Sequence, residues 1–454
     1  MKTSAAKWIG RRLAAAVAVA IAATGRFASA EEVDARLYEL DVSFVEVPCQ
    51  ELAKYGGLDK NRTDAAALLE ILARPGHGLR AMHRIVVRPG EESFSRRVTE
   101  YRYPTEFQVQ VSRNAVSTNK AAGVFATVEP QSFEMREVGS IVAVRLNPTG
   151  DDGLVNLEFK AELVDEPTWM NFGVEADWYG AETLDLPMEQ PFFPVKEFDS
   201  ELTVRLGRTF VLGGTTDCRQ PNEVALVFIK VDRVRDAVGG RPAPAPSDAR
   251  APQVNVGLDV QYVQTSLDEL SAIGYLGTNR MDAATLRARL EARRSPLAFW
   301  SRVVVRPGME AEVKCVQEYR YPEQYNVNMA VPGAKECGLA AGGAVVEPQL
   351  FKTHNVGARL KVEPTLTNGG ELIGLEFKAQ LVGQPTWKDY GAKAHWAGAT
   401  TYDLPMAQPF FPCLANVENS VVMKPGETLA FGAGGKDNGG DTVLVFVTPR
   451  IVEP

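Results

Sequence analysis

Leu37–Val47 (LYELDVSFVEV) and Val256–Val263 (VGLDVQYV) alternate bulky apolar and polar positions with period two, which predicts half-buried β-strands. A helical period follows the first in TDAAALLEILA. It starts at Thr63 or Asp64, where a side-chain oxygen can cap free N–H groups, and stops before Pro75. Met281–Arg293 predicts a second helix with its apolar stripe through Leu286 and Leu290. Short alternating runs fill much of the remainder: Arg84–Arg88, Phe107–Val111, Ile141–Leu146, Leu154–Leu163, Glu201–Leu206 and Glu223–Val231. Gly, Pro, Asn and Asp separate them, as turns require. The pattern predicts a β-rich α+β fold of antiparallel strands with one or two short helices in each half.

The halves are copies. DLPMEQPFFP at Asp185–Pro194 returns as DLPMAQPFFP at Asp403–Pro412, 218 positions later. At that same spacing EYRYP recurs at Glu100 and Glu318, VVRPG at Val86 and Val304, VEPQ at Val128 and Val346, and LEFKA at Leu157 and Leu375. PTW, at Pro167 and Pro385, obeys it too. One offset shared by so many strips establishes a tandem duplication. Between the copies GGRPAPAPSDARAP favours extended, solvated backbone and cannot pack a core. The organisation read from this is a first copy over residues 31–238, a linker over 239–252 and a second copy over 253–454.

Residues 1–30 change the picture of where the chain works. Lys2, Lys7, Arg11 and Arg12 precede the apolar run Leu13–Ala23, and Ala28-Ser29-Ala30 is a small-x-small cleavage site. This is the pattern of a secretory signal peptide cut after Ala30, and the run is too short for a membrane anchor. Removal takes away five positive charges, counting Arg26, and moves the balance from −8 to −13. Such an acidic chain argues against nucleic-acid binding. No later segment has the roughly 18 unbroken apolar residues of a spanning helix, so any insertion in a membrane would use strands.

The order of elements resembles the C-terminal domain of the secretins, the outer-membrane ring proteins of bacterial type II and type III secretion systems. LDVSFVEV (Leu40–Val47) followed by LAKYGG is similar to their strand ending in Glu-Val ahead of a Leu-Gly turn. EVGSIVAVRLNPTGDDGLVNLEFKAEL, which includes Gly139, is similar to their V-G-x-x-L-x-V-x-P hairpin. SELTVRLGRTFVLGG, ending in Gly213 and Gly214, resembles their V-V-L-G-G strand, and DTVLVFVTPRIVEP, with Pro449 and Arg450, their closing L-L-I-F-I-T-P-R-I-V. The resemblance implies two tandem secretin-like domains in an exported, non-enzymatic envelope protein. Its place would be the periplasm or outer membrane of a Gram-negative-type bacterium, and its role protein secretion or outer-membrane assembly. Partners would be further copies of the chain or other envelope proteins. Thr105–Val138 and Glu323–Val356 occupy the place of the family's barrel hairpins, with Phe107, Val109 and Val111 alternating as a lipid- or neighbour-facing strand would. The alternative is a soluble periplasmic binding or scaffold module that keeps the fold without the channel. The short TTDCRQPNE link between Gly214 and Val224 favours it.

Candidate chemistry is sparse. No G-x-S-x-G elbow, H-E-x-x-H helix or phosphate-binding glycine loop occurs, and the Asp151-Asp152 pair sits in a turn sequence. The expectation is no enzyme, no cofactor and no metal centre. Arg102 and Arg320 of the EYRYP strips could clamp a ligand beside tyrosines. Plain strand alternation, with Glu and Arg on one face, the tyrosines on the other and Pro104 or Pro322 as terminator, explains them more simply. Phe192-Phe193 between prolines is read as rings laid over a β-sandwich, with a sticky edge as the alternative. Five cysteines (Cys49, Cys218, Cys315, Cys337, Cys413) leave at least one thiol unpaired or intermolecular. Cys315 and Cys337 belong to the second copy alone, where Arg97 and Asn119 stand in the first, and a Cys315–Cys337 disulfide formed after export is the expected bond.

Overall fold

The computed structural model describes residues 37–54, 65–72, 78–113, 124–151, 153–178, 182–220, 222–234, 254–274, 281–293, 295–330, 343–395, 401–434 and 441–454. Residues 1–30 with the cleavage site, Thr63 and Asp64, most of the polar strip Ser112–Gly123, the linker 239–252 and Cys337 lie outside them.

The first copy contributes β1 (Tyr38–Pro48), α1 (Cys49–Lys54), α2 (Ala65–Leu72), β2 (Gly78–Val87), β3 (Glu92–Arg113), β4 (Val124–Pro148) and β5 (Leu154–Val164). It continues with β6 (Thr168–Asn171), β7 (Val174–Trp178), β8 (Glu182–Leu186), β9 (Glu189–Arg205), β10 (Thr209–Thr216) and β11 (Glu223–Arg233). The second repeats the series as β12 (Asn255–Ser266), α3 (Leu267–Ala272), α4 (Ala283–Ala292), β13 (Leu297–Val305), β14 (Ala311–Ala330), β15 (Gly343–Thr367) and β16 (Leu372–Val382). After these come β17 (Thr386–Asp389), β18 (Ala392–His395), β19 (Thr401–Leu404), β20 (Ala407–Phe410), β21 (Cys413–Met423), β22 (Leu429–Gly434) and β23 (Asp441–Val452). The fold is β-rich α+β with antiparallel sheets.

Local sequence explains these elements. Asp282 caps α4 by accepting from Thr285 N, and Leu286 and Leu290 turn inward as their spacing predicts. β1 is buried on both faces. Tyr38, Leu40, Val42 and Phe44 enter the main core, and a register shift at Phe44/Val45 turns Val45 and Val47 toward α1 and α2.

Several strands run much longer than their local patterns predict, β3 and β14 among them. EYRYP does not end at its proline: β3 passes through Pro104, paired with Phe133, and β14 through Pro322, paired with Phe351. Each proline is tolerated because its strand has a single neighbour there. β3 closes one sheet, and the pairing of β14 with β9 stops at Glu318. Ser132 and Leu350, equivalent in the two copies, take left-handed φ of 51° and 50° just where each long hairpin misses one pair while keeping its register.

The copies share their sheets. One sheet runs β2-β1-β11-β10-β13-β12-β23-β22 and the other β21-β16-β15-β14-β9-β5-β4-β3. The first copy's strands occupy one half of each and the second copy's the other. They join where β10 meets β13 and where β9 meets β14. The two sheets face each other over one apolar core drawn from both copies, and residues 36–454 form one compact unit.

Candidate functional site

The seam between the copies gathers the molecule's most unusual side chains. Gly213 and Gly214, the end of the V-L-G-G strip, pair with Val303 and Arg302. A Cβ on Gly213 would stand 2.6 Å from the Arg302 carbonyl, so this glycine lets β13 approach, while one on Gly214 would stand 2.6 Å from Leu226 Cδ2 of the neighbouring β11. Asn255 seals the other side. Its amide donates to Thr203 O at 2.7 Å and accepts from Thr203 N at 2.9 Å, replacing strand bonds with a fully buried side chain. Ser200 Oγ also donates to Val304 O at 2.6 Å.

At the centre stands Lys196, 1% exposed on β9. Its Nζ lies 2.7 Å from Glu46, 2.9 Å from Asp165 and 2.5 Å from Asp217. Arg80 and Arg219 complete the cage, reaching Asp165 at 2.6 Å and 2.8 Å. Burial disfavours the lysine's charge, but Glu46 and Asp165 outweigh it and raise the ammonium pKa. Lys196 is therefore a fixed cation and not a free amine base. Glu46, Asp165 and Asp217 offer oxygens within 4.8 Å of one another, the closeness a bound metal would need. Lys196 Nζ sits among them and supplies the positive charge in place of an ion.

Further ion pairs cross the seam. Glu197 of β9 bridges Lys314 of the second copy at 2.6 Å and Lys160 of the first at 2.9 Å. Burial opposes its charge, yet Lys314 and Lys160 hold its pKa down at about 2. Arg136 reaches Glu162 at 2.6 Å and Glu318 at 3.2 Å. Arg320 of the second EYRYP strip donates to Gln190 Oε1 and Tyr103 Oη at 3.1 Å each and to Glu134 at 2.9 Å, its guanidinium lying over the Tyr103 ring. Arg320 thus clamps the other copy, while Arg102 is exposed.

The twice-written DLPM strip answers differently in each copy. Phe192 and Phe193 are buried, Phe192 with its ring centroid 4.5 Å from that of Tyr319 and tilted to it, and Phe193 against Tyr103. Phe410, the counterpart of Phe192, is 51% exposed. The packing reading holds for the first copy, and the second presents an open aromatic edge.

The other residues that the sequence points to are spread over the two sheets. Gly139 has φ of 127°, and a Cβ there would meet the Arg97 carbonyl at 2.2 Å. The Pro449 carbonyl accepts from Gly426 N, and Arg450 Nε lies 3.5 Å from Asp259. Phe107 and Val109 are buried beside Leu186, Met188 and Phe351, and the Val109 N–H donates to Glu347 Oε1 at 3.0 Å. They face a neighbouring strand within the molecule. Cys315 is a free thiol buried in the core, and Cys218 is a free thiol that is half-buried. His83 sits between Ser95 Oγ at 2.9 Å and Ser140 Oγ at 2.8 Å. Burial and then Arg97 lower its pKa, which keeps the ring neutral and structural.

Comparison with protein-family models, with curated proteins and with solved structures finds no match to this chain.

Proposed function

We propose that the chain is a non-enzymatic, exported structural protein of a Gram-negative-type cell envelope, at work in the periplasm or at the outer membrane. Its secretin-like repeats assemble with further copies by side-by-side strand pairing. One observation carries this reading: the two open ends of the molecule are counterparts of the two halves of its own seam. β2 and β3, which close the sheets at one end, are equivalent to β13 and β14, which the first copy covers. The strip Gln408–Cys413 at the other end is equivalent to Gln190–Val195, which the second copy covers. Apolar residues buried at the seam are bare at the ends: Val86 is 55% exposed against 3% for Val304, as Phe410 is against 4% for Phe192. Exposed edges with a row of apolar side chains pair readily with another chain.

Seating Gln408–Cys413 of one copy along Val98–Arg102 of the next would repeat the internal contact, with Phe410 on Tyr101 and Gln408 at Arg102. A bulge at Leu414, absent from β9, shifts β21 by one residue and confines the match to this stretch. Contact of this kind is head to tail and builds rings or open arrays.

The soluble-module alternative draws support from Phe107 and Val109, which pack inside the molecule where a barrel would turn them to lipid. Cell fractionation followed by size measurement in mild detergent separates the two. Multimers in the envelope fraction, dissociated by Phe410→Ala, are the expected result. A soluble monomer at every concentration would overturn the assembly reading.

A further inference from the structure

The two repeats clamp each other at the seam through a pair of crossed charges. Glu134 and Arg136 of β4 face β14, Glu134 meeting Arg320 at 2.9 Å and Arg136 meeting Glu318 at 3.2 Å. Phe193 sits between them, its ring against Tyr103 and its cross-strand neighbour Glu318. At the 218-residue offset Glu134 becomes Lys352, Arg136 becomes His354 and Phe193 becomes Phe411. These three keep the same arrangement in the second copy. The His354 ring stacks on Phe411 at 4.1 Å between centroids, and Phe411 in turn lies against Tyr321 at 5.5 Å. The strip they would clamp in a further copy carries Glu100 and Arg102, the counterparts of Glu318 and Arg320. Glu100, Arg102 and Lys352 are exposed, and His354 is half-buried. Neither Glu100, Arg102 nor His354 makes an ion pair among the described residues.

Resting on the assembly reading above, we propose that His354 of one copy and Glu100 of the next form an ion pair that tightens assembly as the medium turns acidic. Glu318 stands opposite Phe193 at the seam, so Glu100 of the next copy stands opposite Phe411, beside the imidazole stacked on that ring. Around His354 its own strand brings Lys352, and β14 brings the neutral Tyr319 and Tyr321. Gln380 of β16 occupies the place of Glu162, so the acid that Arg136 finds within its own copy is missing for His354. Arg102 of the next copy meets Lys352 where Arg320 meets Glu134, and this like-charge half keeps the contact weaker than the seam. Burial holds the His354 pKa below its ordinary 6.5 in the separate chain, and Glu100 raises it on assembly. The gain is therefore complete below the separate chain's value and is lost as pH rises through the assembled one.

The test is the concentration at which the full chain is half assembled, read by light scattering at about pH 5 and about pH 8. The wild type is expected to need about tenfold less protein at the lower pH, the ratio that follows when assembly raises the His354 pKa by about 1. His354→Arg, which restores the residue of the seam, should assemble at pH 8 as the wild type does at pH 5. His354→Gln and Glu100→Gln should each lose the difference between the two conditions. Lys352→Glu, which gives Arg102 the acid that Arg320 has, should assemble at lower concentration at both. Coincident wild-type values, a difference that survives in His354→Gln or Glu100→Gln, or no gain from Lys352→Glu would overturn the proposal and leave assembly itself standing. A monomer at every concentration and at both pH values would instead overturn the assembly reading, and this proposal with it.

Discussion

Lys196 shows how the seam is built at the scale of single residues. An ammonium at 1% exposure is costly to bury, and it persists because three carboxylates surround it and two guanidiniums balance the remainder. Lys196→Met removes one positive charge from a neutral set of six and strands a buried negative charge. The expected loss is about 3–5 kcal/mol in denaturant unfolding, and an unchanged midpoint would show that the cage does not hold the seam. This group was poorly legible in sequence because reading by repetition weighs what the copies share. The cage consists of what they do not share: Lys196, Asp165 and Asp217 stand where the second copy has Leu414, Gly383 and Gly435. Asn255 against Leu37 is another such difference. Charged residues confined to one copy, set among apolar strips common to both, were the available signal.

At the scale of elements, one strip of sequence meets two environments. β9 and the β20–β21 strip carry the same PFFP letters, but β9 lies inside a sheet and β21 closes it. Phe192→Ala should therefore cost about 3–4 kcal/mol through a cavity against Tyr319, whereas Phe410→Ala in the monomer should stay within about 1 kcal/mol. Equal costs in chemical denaturation would mean that the second ring is also packed. The helix of Met281–Arg293 and the strands flanking it were legible, since their period is local. The length of β3 and β14 was not. A proline ends a strand only where its missing N–H is needed by a neighbour, and the number of neighbours is a property of the sheet.

For the molecule as a whole, the ion pairs across the seam tie the union of the copies to pH. The folded pKa of Glu197 is about 2, below its ordinary value of 4.5. Its contribution is fully present above about pH 4.5 and is lost as pH falls through the folded pKa, up to about 3 kcal/mol. Burial raises the pKa of Glu318, which works in the opposite direction, so the variant Glu197→Gln isolates the effect. Urea midpoints at pH 6 and pH 3 should differ less in Glu197→Gln than in the wild type. An identical drop would place the acid sensitivity elsewhere.

By itself the sequence determined the duplication, the β-rich composition of each copy, the helix of Met281–Arg293 and the positions where Gly is needed, because these follow from spacing, period and steric demand within a few residues. Tertiary structure alone decided that the copies fuse into shared sheets, that Arg320 is enclosed while Arg102 is bare, and that Lys196 meets Glu46, Asp165 and Asp217. Those outcomes depend on which edge finds which partner across a separation of many residues, and a burial shared between distant strands leaves no periodic mark on either one.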